Sequence, residues 1–381
     1  MNTDFPVLIA GGSGVFGSTI SRRLARTPGL TVYIGARHAA NAKRVHDDIA
    51  ASGLSRTSPL HFDIDTGLAD ALDVTKARLL INATGPFQNR DYAIPRLCIA
   101  RGVSYIDIAD ARDYVVNISS LEESARKAGV SVISGASTVP GLSSTVVQHL
   151  AGGFDTVEHI SVGISPGNRS PRGLATVSAI LSYVGKPIPV WRAGRAARAY
   201  GWQGLLRRDI AVRNRPKLRK RWFALCDVAD ADLLPEQFPG VRTVEFRAGL
   251  ELGSLHLGLW LLSWLVRAGM IASLSPRARL LLGIADRLKN RGSDRGAMFV
   301  EVAGKSIDGQ SVKRTWQLIA ESASGPSIPA IPAVVLARRL ALGEGLRCGA
   351  YPGVNLFSLQ EFAAEVSDLD IGFEVRSASR G

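Results

Sequence analysis

The first third of the chain alternates short, wholly apolar runs with segments of helical period. Residues 6–10 (PVLIA) are apolar at every position, the pattern of a strand buried on both faces. They lead into GGSGVFG and then into a helical pattern over residues 18–26. Further strands are expected at residues 31–34, 59–62, 77–83, 104–108 and 130–134, with helical segments at 39–51, 66–73, 92–101 and 119–128 between them. Strand and helix repeating with short links predicts a parallel sheet with right-handed crossovers. The fold expected for residues 1–140 is therefore α/β, a Rossmann doubly wound parallel sheet.

The second half reads differently. A helix is expected at 142–151, an alternating strand at 159–164, and two strands at 297–303 and 312–320 joined around Asp308-Gly309. This pattern suits a second, α+β domain over 141–328, used for substrate binding or oligomerisation. Residues 329–381, with a helix at 332–342, are expected to pack back on the two domains. The run 250–274 (LELGSLHLGLWLLSWLVRAGMIASL) is strongly apolar, but Glu251, His256 and Arg267 interrupt it. That leaves fewer uninterrupted positions than the ~20 a spanning helix needs. A buried helix, a helix lying in a bilayer interface and the wall of a greasy substrate tunnel are the alternatives.

A length of 381 residues suits two cores. The net charge of +13 is local in origin: eleven Arg and Lys lie between Trp191 and Trp222 against the single acid Asp209. A solvated arm is the plain expectation for this stretch, and attraction to anionic lipid the alternative. Nucleic acid is disfavoured, because one basic segment without interleaved base-stacking motifs is a weak footprint. Cys98, Cys226 and Cys348 are widely spaced and suggest neither a disulfide framework nor a metal site. With an apolar strand starting almost at Met1, no leader pattern is expected. The expected location is cytoplasmic, with membrane association through the two segments above as an addition.

Within the opening loop, Gly12, Gly14 and Gly17 satisfy G-x-G-x-x-G. The first glycine permits the turn, the second admits a pyrophosphate, and the third lets the helix approach the strand. The N–H groups of Ser13, Val15 and Phe16, at a helix N-terminus, then face the phosphates. An NAD site usually carries an acid at the end of the second strand, but this chain reads Ile34, Gly35, Ala36, Arg37, His38. Arg37 can instead form a charge-assisted fork with a 2'-phosphate, which favours NADP(H), with Lys43 and Arg44 as helpers. The same loop also fits G-x-x-G-x-x-G through Gly11, the spacing of short-chain reductases. Those enzymes use a Tyr with Lys four residues on, and no tyrosine here has one.

Downstream come Asn82-Ala83-Thr84-Gly85-Pro86-Phe87, then YIDIAD from Tyr105 to Asp110, and ISGASTVPGLSS ending on Pro140, Gly141 and Leu142. This succession of G-x-G-x-x-G, G-P-F, Y-x-D and P-G-L resembles the NADP-binding domain of the saccharopine dehydrogenase-like oxidoreductases. SPGNRSPRGLAT, from Ser165, is similar to an uncharacterised subgroup of that family. The resemblance implies that Gly12 to Gly17 hold the pyrophosphate and that Asp63 lies beside the adenine. It also implies that Ala83, Thr84, Gly85, Pro86 and Phe87 flank the nicotinamide and its ribose. Members handling saccharopine-like amino acids tend to carry Asp before Pro-Gly, where this chain has Val139, so saccharopine is not the expected substrate.

Asp110 after the fifth strand, Ser137 (with Thr138) before the Pro-Gly turn, and Arg169 (with Asn168 and Arg172) are the catalytic or substrate-holding candidates. Capping and loop-fixing bonds are the plainer role for each. The ligand is expected in a crevice between the domains, at the carboxyl ends of the strands. These features predict an NADP(H)-dependent oxidoreductase acting on a small or lipid-like molecule with a C=O, C=C or C=N bond. A non-catalytic NADP-binding sensor and a peripheral membrane protein are the rivals, and a homodimer is the assembly considered.

Overall fold

The computed structural model describes residues 4–379. They divide into two compact units, one of residues up to 142 with Ser327–Phe357, the other of Ser143–Pro326 with the described residues from Ser358 onward. The first contains β1 (Phe5–Ala10), α1 (Val15–Leu24), β2 (Leu30–Ala36), α2 (Ala39–Ala50), β3 (Thr57–His61), α3 (Leu68–Thr75), β4 (Leu79–Asn82), α4 (Ala93–Ala100), β5 (Ser104–Asp107), α5 (Arg112–Val116), α6 (Glu122–Lys127) and β6 (Ser131–Ser134). The second contains α7 (Ser143–Ala151), β7 (Phe154–Ser165), α8 (Leu174–Tyr183), β8 (Pro187–Arg192), β9 (Arg195–Tyr200), β10 (Leu206–Ile210), β11 (Leu218–Leu225), α9 (Asp230–Gln237), β12 (Thr243–Ala248), α10 (Gly253–Arg267), α11 (Ala278–Arg287), β13 (Gly296–Ser306) and β14 (Ser311–Ala320). The chain then returns to the first unit for α12 (Ile331–Leu342) and β15 (Gly349–Pro352), and to the second for α13 (Leu359–Glu365) and β16 (Ile371–Ser379).

In the first unit the strands pair in the order β15-β6-β5-β4-β1-β2-β3, every pair parallel. Register puts Tyr33, Leu8, Leu80, Tyr105, Val132 and Ala350 in one row across the sheet. Helices cover both faces by their apolar stripes, as in α2, where Ala42, Val45 and Ile49 are buried. Each fully buried Ile or Val contributes about 1.5–3 kcal/mol relative to exposure. This is the doubly wound sheet that the pattern of apolar runs predicts, with β15 added at one edge.

The second unit is a mixed sheet in the order β10-β11-β12-β7-β13-β14-β16, with β8 pairing β12 and β9. Two expectations need correction. The basic stretch is not a solvated arm: it runs from the end of β8 through β9 and β10 into the first half of β11. Four of its eleven charges are tied into the sheet by Arg192–Glu245 (2.6 Å), Arg208–Glu301 (2.5 Å), Arg215–Glu321 (3.0 Å) and Arg221–Glu251 (3.0 Å). Nor is the apolar run one buried helix. α10 covers 15 residues, of which only His256, Ser263 and Val266 are buried. No helix among the described residues is long and apolar enough to cross a membrane.

Candidate active site

Parallel strands end together at one side of a sheet, and here their carboxyl ends carry the polar residues. One step beyond the last fully apolar row, Ala10, Asn82 and Asp107 are register partners on β1, β4 and β5. The chain leaves Ala10 through Gly11, whose φ of +74° is the left-handed conformation that favours glycine. The residue that makes the turn is thus Gly11, not Gly12 as the spacing suggests. Gly12 is packed against β2, and a Cβ on it would lie 3.0 Å from Ile34 Cγ2. At Gly17 a Cβ would fall 2.1 Å from the Gly11 oxygen, so the close approach of α1 to the loop demands glycine.

Gly14 is different. It is exposed, and a Cβ there would meet only the Gly11 oxygen, at 3.2 Å. It is the N-cap of α1, with no side-chain cap and no acid in the first turn. The positive end of the helix and its unpaired N–H groups are therefore uncompensated by the protein, an arrangement that fits a phosphate-bearing group. The basic residues Arg22 and Arg23 sit in the last turn, where they complement the opposite end.

Beside this loop, Asn82 Oδ1 accepts from the Thr84 amide (3.0 Å) and hydroxyl (2.6 Å), while its Nδ2 donates to Tyr105 Oη (3.2 Å). These bonds hold Ala83 and Thr84 against Gly11. Tyr105 Oη lies 3.3 Å from Tyr114 Oη, and the Tyr114 ring packs on Phe87 and Tyr92 at centroid distances of 5.4 and 4.9 Å. Phe87, Thr84, Asn82 and Tyr114, with Ile64 and Arg90, line a cleft of about 170 Å³. Arg90 pairs with Asp65 across it at 2.5 Å.

Asp107 is the residue that sequence reasoning missed. It is fully buried, and its Oδ1 accepts from the amides of Gly135 (2.8 Å) and Ala109 (3.0 Å) and from Ser134 Oγ (3.0 Å). Among the described residues Oδ2 has no hydrogen-bond partner. Burial pushes its carboxyl from the usual 3.8 up to about 6, against its hydrogen-bond donors, which pull it down. Its bonds tie together the segments after β5 and β6, which carry Asp110 and Ser137. The Y-x-D spelling marks the residue, but only the strand register reveals the burial.

The other candidates lie as follows. Arg37 directly follows β2, is exposed, and its guanidinium makes no ion pair among the described residues. Lys43 is committed to Asp47 one turn on, at 2.7 Å. Asp63 follows β3 and its Oδ1 accepts from the Asp65 amide at 2.9 Å. Asp110 reaches solvent at one edge but is crowded by protein, which raises its carboxyl pKa; Gln88 donates to it at 3.3 Å. Ser137 is buried just after β6. In the second unit Arg169 is exposed, and its amide donates to Ser293 O at 2.8 Å. Its neighbours are structural: Asn168 donates to Leu288 O (2.7 Å), its amide to Glu251 (2.6 Å), and Arg172 donates to Asn168 Oδ1 (2.5 Å). These bonds are the loop-fixing role weighed for Asn168 and Arg172.

A doubly wound sheet with a glycine-rich, uncapped helix terminus at its carboxyl side defines a dinucleotide-binding fold. Residues 7–133 match the saccharopine dehydrogenase NADP binding domain family. Over those residues the chain carries an NADP-binding domain of that type. Among solved structures, the chain is similar to apo saccharopine dehydrogenase (L-Glu forming) from Saccharomyces cerevisiae, with TM-score 0.65 and 14% identity over 98% of this chain and 100% of that one. That likeness is one of fold. A weaker one is to a dehydrogenase from Chromobacterium violaceum, with TM-score 0.41 and 11% identity over 84% of this chain and 75% of that one. No curated protein matches the sequence.

Proposed function

We propose that the chain uses NADP(H), selected by Arg37, to reduce or oxidise a small or lipid-like molecule at a C=O, C=C or C=N bond. The observation that carries this reading is the open, uncapped N-terminus of α1 at Gly14, beside the Asn82–Asp107 row. When bound, the nicotinamide supplies or accepts the hydride, and the protein's task is to fix it and exclude water. Gly12, Ser13, Gly14, Val15, Phe16 and Gly17 seat the diphosphate, Arg37 forks onto the 2'-phosphate, and Asp63 stands at the adenine side. Ala83 to Phe87, held by Asn82, flank the nicotinamide ribose.

Asp110 and Ser137 are the groups assigned to hold or move a proton at the acceptor, with Asp107 as the positioning residue beneath them. Arg169 is assigned to an anionic or carbonyl group of the substrate. Saccharopine itself is not the proposed substrate, since buried Val139 offers no carboxylate to an ammonium group. The test is a calorimetric titration with NADPH and NADH, followed by NADPH consumption with a panel of enones, ketones and imines. The expected result is preferential NADPH binding and turnover of at least one class. A folded protein with no affinity for NADPH overturns the reading, and tight binding with no consumption across the panel identifies a sensor.

A further inference from the structure

We propose that the α10–α11 region of the second unit docks on an anionic lipid surface. α10 exposes Leu261 (59%), Trp264 and Leu265, which at spacings of three and four form one stripe; Met270 (73%) follows in the link. α11 exposes Leu280 (62%) and Ile284, again four apart. Both helices rest on a common support, α11 along α8, and α10 on the Gly185 turn after α8, where a Cβ would fall 2.3 Å from Ser263 O. Large apolar side chains left in water in this number mark an interaction surface.

Charge decides the occupant. Residues 253–291 contain Arg267, Arg277, Arg279, Arg287, Lys289 and Arg291 against the single acid Asp286. Arg279, Arg287 and Lys289 are exposed and make no ion pair among the described residues. By contrast, Arg192, Arg208, Arg215 and Arg221, between β8 and β11, are each matched by a glutamate. A second copy would set like charges against like, whereas an anionic lipid surface complements them. Trp260 and Trp264, packed edge to face at 6.2 Å, suit the headgroup boundary, where an indole keeps one end apolar and the other wet. α10, at 15 residues, is too short to span, so the helices lie on the bilayer.

The full-length protein is floated with phosphatidylcholine vesicles, with and without phosphatidylserine. Binding only to the vesicles containing phosphatidylserine is expected, weakening as salt is raised. The pair Leu261→Ser and Trp264→Ser, whose side chains are solvent-exposed, should lose binding at least tenfold, and Arg279→Glu with Arg287→Glu by a comparable factor, since each basic residue near such a surface contributes about fivefold. NADPH affinity should be unchanged in all of them, which separates this proposal from the fate of the catalytic reading. No binding to either vesicle, equal binding to both, or a dimer in sedimentation that the apolar pair dissolves would overturn it.

Discussion

The two units use charge in opposite ways. In the first, the carboxyl ends of parallel strands gather polar groups that the described residues leave incompletely paired: an uncapped helix terminus at Gly14, an exposed Arg37, and Asp107 with one oxygen unpartnered among the described residues. In the second, four arginines on β8, β10 and β11 and the loop before β11 meet glutamates on β12 and β13 and just after β12 and β14, so that their charge is consumed in holding the sheet. Groups whose partners are supplied from outside are available for binding a ligand; groups already paired are structural. The distinction can be tested by removing members of each set.

The largest effect is expected at Gly17→Ala, which forces a Cβ to within 2.1 Å of the Gly11 oxygen. NADPH affinity should fall below detection, together with a lowered Tm. Gly14→Ala should keep its Tm and lose affinity at least tenfold, because the added methyl meets the ligand rather than the protein. Comparable losses of Tm in both variants would erase the difference between the two glycines. In the second unit, Arg221→Ala removes the cation from Glu251, which keeps its bonds from Asn168 and Ser293, and should cost about 1.5–3 kcal/mol in urea unfolding. A cost below about 1 kcal/mol would mean that the ion pair is dispensable.

Arg37→Ala should weaken NADPH binding by roughly ten- to a hundredfold, as expected for a charge-assisted hydrogen bond of about 1.5–3 kcal/mol, while NADH binding changes little. Equal losses reject its role in selecting the cofactor.

The buried titratable groups of the two units oppose one another in pH. Asp107 has a folded pKa above its usual value, so its contribution to stability is greatest below about 3.8 and is lost as pH rises through about 6. His256, buried on α10 beside Trp202 and held down to about 4, contributes above 6.5 and loses that contribution as pH falls toward 4. Asp107→Asn keeps an acceptor for the three donors and removes the cost of burying charge, roughly 3 kcal/mol above pH 6. Its Tm should rise at neutral pH and fall more steeply than the parent's between pH 6.5 and 4. An unchanged profile would show that Asp107 does not titrate in this range. The smallest effect is expected at Arg22→Ala, whose pair with Asp48 is about half exposed on both sides and should contribute within about 0.5 kcal/mol.

Much of the first unit is legible in the chain. The runs PVLIA and ARLLINA contain the buried strands β1 and β4, and the helical stripe of α2 appears at its expected place. β15 was not legible: four residues, GAYP, carry no periodicity and join β6 from more than 200 positions away, as the bond from Ser131 Oγ to Arg347 O, 216 residues apart, illustrates. The arginine-rich strands were misread for a related reason. LRRDI looks solvated until the acid that pairs with it is known, and Glu301 stands 93 residues from Arg208. The opening loop, the change from parallel to mixed architecture and the motifs of the dinucleotide domain were all present in the sequence.

What the amino-acid order alone determined is the strand, glycine turn and helix that form the phosphate seat, because backbone stereochemistry and apolar period act between near neighbours. Only the tertiary structure decided that Gly11 makes the turn, that Asp107 binds two loops from beneath, and that the greasy run leaves Leu261, Trp264, Leu265 and Met270 in water. Those outcomes depend on register and on partners distant in sequence, and such pairings are fixed when the chain closes its long loops rather than by any local preference.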